Sequence, residues 1–81
     1  MTVRSHALER MIERGATEAE VVATIDTGER FPARFGRIGF RRNFAFGAVR
    51  HGRRYATKQI EALAVLENGE WLVITVLVKY F

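Results

Sequence analysis

Several side chains in this 81-residue chain suit phosphodiester chemistry that uses no metal. Cleaving RNA that way means taking a proton from a 2′-hydroxyl, returning one to the leaving 5′-oxygen, and steadying the crowded phosphorane with cations. His6, with Arg10 one helical turn further on, offers an acid–base group beside a cation. Lys58 and Thr75 offer a second cation and a positioning hydroxyl, with Lys79 beside them. The candidate catalytic set is therefore His6, Lys58 and Thr75. The candidate nucleic-acid-binding set is Arg10, Arg37, Arg41, Arg42, Arg53, Arg54 and Lys79. The alternative for His6 is a solvated histidine at a helix start, and for His51 a simple turn residue. Magnesium chemistry would need clustered carboxylates, whereas the chain has one aspartate, Asp26. Zinc would have two histidines and no cysteine. The sequence therefore predicts neither metal nor cofactor.

The charge is unevenly placed. Residues 29–58 hold eight arginines and Lys58 against Glu29 alone, a net of +8, while the segments before and after are each −2. Five of the six phenylalanines share that middle segment. Arginine forks pair with phosphates and aromatic rings stack on splayed bases, so the segment reads as a surface for RNA. Phe44 and Phe46 are expected in the core, with arginines shielding them. The longest apolar run, Trp71 to Val78, is too short to span a bilayer, and a soluble, cytoplasmic domain is expected.

The elements that must position these groups are two helices and an antiparallel sheet. Ser5 is expected to cap a helix over 6–14 whose buried stripe is Leu8, Met11 and Ile12, ended by Gly15. Thr17 with Glu20 predicts a capping box for a second helix facing inward through Val21, Val22 and Ile25 and stopping at Gly28. A loop through Pro32, punctuated by Gly36 and Gly39, leads to a strand from about Phe40. His51-Gly52 turns the chain into a long strand over 53–67, and Asn68-Gly69 predicts a two-residue hairpin into a closing strand over 70–81. The expectation is a single α+β domain, two N-terminal helices on a three- to four-stranded antiparallel meander.

Counting outward from Asn68-Gly69 pairs Glu67 with Glu70, Leu66 with Trp71, Ala64 with Val73, Ala62 with Thr75 and Lys58 with Lys79. Lys58, Thr75 and Lys79 then share one face, and two opposed lysines invite an anion between them. Tyr55 and Tyr80 fall on the other face in strict register and join the site only if a bulge intervenes. Both faces are largely apolar near the turn, which calls for a parity-flipping bulge, a covering loop or a partner chain such as a second copy.

The segments ERMIERGATEAEV (9–21), GERFPARFGRIGFRRNF (28–44), YATKQIEALAV (55–65) and ITVLVKYF (74–81) together resemble a bacterial family of unknown function, in the expected order and over nearly the whole chain. That family is similar to the RelE/ParE-type toxin fold and, more distantly, to the barnase–EndoU–colicin nuclease group. The resemblance implies a metal-independent endoribonuclease acting as a toxin, with RNA as substrate and an antitoxin as partner. It implies His6 as the helix histidine supported by Arg10, Lys58 as the strand lysine, Thr75 as the strand hydroxyl, and Arg37, Arg41 and Arg42 as phosphate-binding arginines. Two other readings stand beside it: a non-catalytic nucleic-acid-binding module, and a homodimeric interaction protein.

Overall fold

The computed structural model describes residues Met1–Phe81. Strand β1 is Thr2–Val3, helix α1 Ser5–Arg14, helix α2 Glu18–Thr27, and strands β2 to β5 are Glu29–Pro32, Ile38–Arg50, Arg53–Glu67 and Glu70–Tyr80. The chain is α+β as expected, but the sheet is mixed and five-stranded, in the order β1-β5-β4-β3-β2. β1 runs parallel to β5, while the other pairings are antiparallel. Two strands were therefore not anticipated. β1 is only two residues long, and β2 occupies the segment expected as a loop, with Pro32 at its end where a missing amide donor costs no ladder bond.

Both helices pack on one sheet face, where Ala7, Met11 and Val21 meet Phe40, Ile60, Ala62, Ala64, Val73 and Val76. Ser5 does not cap α1. It begins the helix, and Arg4 holds the cap position without a side-chain bond. The buried stripe is Ala7 and Met11, whereas Leu8 is 42% and Ile12 82% exposed. The helix is turned this way because small Ala7 allows close approach to β5, and because Arg14 donates to the Val76 carbonyl at 2.7 Å. In α2 the capping box forms, Thr17 Oγ1 accepting from Glu20 N at 3.1 Å and Glu20 Oε1 from Thr17 N at 2.9 Å. Val21 is buried and Ile25 packs against the core, but Val22 is 37% exposed. Thr24 is buried instead, its hydroxyl donating to the Glu20 carbonyl at 2.8 Å.

The hairpin register holds for Glu67↔Glu70, Leu66↔Trp71 and Ala64↔Val73, and then shifts: Leu63 pairs with Thr75, so Ile74 is an extra residue in β5. Every later β5 side chain changes face. Lys58 consequently faces Tyr80, and Gln59 faces Lys79. A second irregularity places Phe46 and Gly47 opposite Ala56, with Gly47 left-handed at φ 55° and its carbonyl accepting from Arg54 at 3.1 Å. The face away from the helices carries Phe31, Leu63, Val65, Leu72 and Leu77 beside the Arg41–Glu61 ion pair at 3.1 Å.

Candidate nucleic-acid interface

The C-terminus of α1 decides what Lys58 can do. A helix leaves its last carbonyls without intrahelical donors. Here three consecutive carbonyls receive side chains from the sheet: Arg50 donates to Glu13 O at 2.9 Å, Tyr80 to Arg14 O at 2.7 Å, and Lys58 to Gly15 O. The two cations also suit the negative end of the helix dipole. Gly15 is required at the centre of this lock. Its φ is 80°, and a Cβ there would stand 2.7 Å from the Arg50 guanidinium and 2.8 Å from the Tyr80 hydroxyl oxygen.

Lys58, only 6% exposed, also donates to Glu20 Oε1 at 2.7 Å. Partial burial pushes the Glu20 carboxyl up, but the hydrogen bond from Lys58, the Thr17 donors and the Lys58 charge outweigh burial and hold it below its ordinary value. The expected Lys58–Thr75–Lys79 face does not form: the Ile74 register shift sends Thr75 and Lys79 to the opposite face. His6 is exposed in the first turn of α1, nine residues and about 13 Å along the axis from Gly15. Arg10 pairs with Glu13 at 3.0 Å. His6, Lys58 and Thr75 are thus in three separate places.

The arginines are gathered differently. Of the nine cations in 29–58, only Arg41 and Lys58 have a carboxylate within ion-pair distance. Arg30, Arg34, Arg37, Arg42, Arg50, Arg53 and Arg54 have none. Several are held over rings instead: Arg42 lies 4.8 Å from the Phe44 ring centre, Arg50 4.8 Å from Tyr80, Arg53 5.7 Å from Tyr55 and Arg37 5.9 Å from Phe35. Stacking of this kind fixes a guanidinium plane while leaving its N–H edges to solvent.

Strand β3 organises the set. β2 pairs only with Ile38–Arg41, so from Arg42 to Arg50 the outer edge of β3 has no neighbouring strand. Arg42 donates to Thr27 Oγ1 at 2.9 Å there. A wholly polar cleft of about 420 Å³ opens at that point, lined by Thr27, Gly28, Glu29, Arg41, Arg42, Asn43 and Gln59. Farther along, Tyr80 meets Phe46 at 5.1 Å and Tyr55 at 5.8 Å between ring centres, with Arg50 over it. Sequence reasoning missed Arg50 and placed Tyr55 and Tyr80 at the site only on condition of a bulge, which the β5 register shift supplies. The signal was the apolar character of both faces of β5, which a bulge resolves.

No three His, Asp or Glu side chains form a group that could hold a metal ion, and no helix is long and apolar enough to cross a membrane. No curated protein and no solved structure matches the chain. A family model described as a domain of unknown function, DUF4258, matches residues 3–78, nearly the whole sequence, and the chain belongs to that family.

Proposed function

We propose that this domain binds RNA along the arginine-bearing strand β3 and its two flanking turns. The observation that carries the reading is the set of seven arginines in 29–58 without a carboxylate partner, on a segment of net charge +8. Cations without carboxylate partners on β3, its flanking turns and the adjoining strands neutralise phosphates and release counterions, which drives sequence-independent binding. The aromatic rings under the guanidinium groups supply faces on which bases can stack.

One observation favours a second reading, metal-independent cleavage. The Ile74 shift gathers Tyr55, Tyr80 and Arg50 beside the hairpin that carries His51 and Arg53. In that reading His51 exchanges the protons of the 2′-hydroxyl and the 5′-oxygen, and Arg53 steadies the phosphorane. The order of elements, two helices and then an antiparallel run of strands, supports a RelE/ParE-type fold. An acidic antitoxin would then cover the same arginines.

Labelled RNA incubated in EDTA separates the readings. Binding that weakens with salt and in Arg53→Gln, without cleavage, is the result expected of the first. Chelator-resistant cleavage lost in His51→Ala establishes the second. If wild-type protein neither binds nor cleaves RNA, both are overturned.

A further inference from the structure

The two ends of β3 carry the same four-residue pattern, Arg34-Phe35-Gly36-Arg37 before it and Arg50-His51-Gly52-Arg53 after it. Each is a tight turn whose two central residues are left-handed: Phe35 φ 60° and Gly36 φ 69°, His51 φ 51° and Gly52 φ 77°. The third such turn, Asn68-Gly69 with φ 52° and 74°, uses the residues this geometry prefers. Histidine is among the side chains that tolerate the left-handed region, but phenylalanine there is uncommon. Packing does not compensate for it, since Phe35 is 85% exposed and Gly36 faces open space. An exposed, strained aromatic flanked by Arg34 and Arg37 serves something outside the free protein. A single ring offers little apolar area for insertion into a lipid surface or an apolar protein patch. It suits a base whose neighbouring phosphates the arginines take.

We propose that the two turns are base-stacking tips. Phe35 and His51 each stack on an unpaired base of single-stranded RNA, while Arg37 and Arg53 hold the adjacent phosphates. The inference rests on the RNA-binding reading and adds that the ligand is single-stranded, because a paired base has both faces covered. The tips are separated by the 13 residues of β3, about 40 Å, so one strand reaches both with about a dozen nucleotides at stacked spacing.

The test compares a labelled single-stranded RNA of about 20 nucleotides with a duplex of the same sequence, by anisotropy over a range of salt. Wild-type protein is expected to favour the single strand. Phe35→Asn, which copies the residue used at Asn68, is expected to weaken that binding about 10-fold or more with an unchanged salt slope. It should also raise the thermal midpoint by about 4–8 °C, so weaker binding cannot come from unfolding. Phe35→Trp should keep the affinity, and its fluorescence should be quenched by the RNA. Salt-dependent binding with Phe35→Asn within twofold of wild type overturns the tips and leaves the basic strand intact. A changed oligomeric state in Phe35→Asn with RNA affinity unaltered overturns the proposal in favour of a protein contact. No RNA binding by wild type removes the RNA-binding reading itself.

Discussion

The Lys58 ammonium donates to the Gly15 carbonyl and, at 2.7 Å, to Glu20 Oε1, and at 6% exposure it has little room to meet a ligand. Its charge ties the end of α1 and the start of α2 to β4. Lys58→Ala would leave a part-buried carboxylate and a helix-end carbonyl without their donor. The expected cost is about 3 kcal/mol, read from urea unfolding. The same pair gives a pH dependence with a definite sign. Glu20 has a folded pKa below its ordinary 4.5, so its stabilisation is complete above that value and is lost as pH falls through the lowered one. Wild type should therefore lose more stability than Glu20→Gln between roughly pH 5 and pH 3, seen in the urea midpoints. The arginines were legible as a charge excess at this scale. The pairing of Lys58 was not, because its carboxylate partner lies 38 positions away in the chain.

Element by element, what was legible follows how far the determining contact reaches. The capping box at Thr17–Glu20, the left-handed Gly15, the Asn68-Gly69 turn and the alternation of β4 are local, and each stands where its residues imply. β1 exists only because Thr2 and Val3 meet Leu72 and Val73, and the extra residue in β5 depends on how β4 and the helices bury Val76. Neither is written in a short window. Deleting Ile74 would remove the bulge but keep the pairs Leu63↔Thr75 and Ala62↔Val76, so the buried Val76, together with Val78 and Tyr80, would stay on the helix face. The shortened chain should therefore still unfold cooperatively, as followed by circular dichroism, because no large apolar side chain leaves the core. Gly28 tests the α2–β2 junction in another way. Its φ of −77° suits any residue, but a Cβ would lie 2.4 Å from the Thr24 carbonyl oxygen and 2.7 Å from that of Arg41. Gly28→Ala should cost about 1–3 kcal/mol, because two backbone segments rather than a mobile side chain must move.

Over the whole molecule, unpaired positive charge follows β3, whose 13 residues run about 40 Å in a molecule 41 Å in its longest dimension. A ligand held by one turn alone would meet few of the seven arginines that lack a carboxylate partner, whereas a strand laid along β3 would meet most of them. The two cases differ in salt dependence. Each phosphate neutralised on a single strand adds about −0.7 to the slope of log K against log salt. Contact with all seven gives a slope near −5, and contact with the hairpin arginines Arg50, Arg53 and Arg54 alone gives about −2. Anisotropy titrations of a 20-nucleotide RNA with the wild-type protein should fall near the larger value. Arg37→Gln and Arg53→Gln, at opposite ends of the strand, should each reduce its magnitude by about 0.7 and together by about twice that. A slope near −2 that responds only to Arg53→Gln would confine binding to the β3–β4 hairpin. The arginines at the other end would then be left to a partner of a different kind.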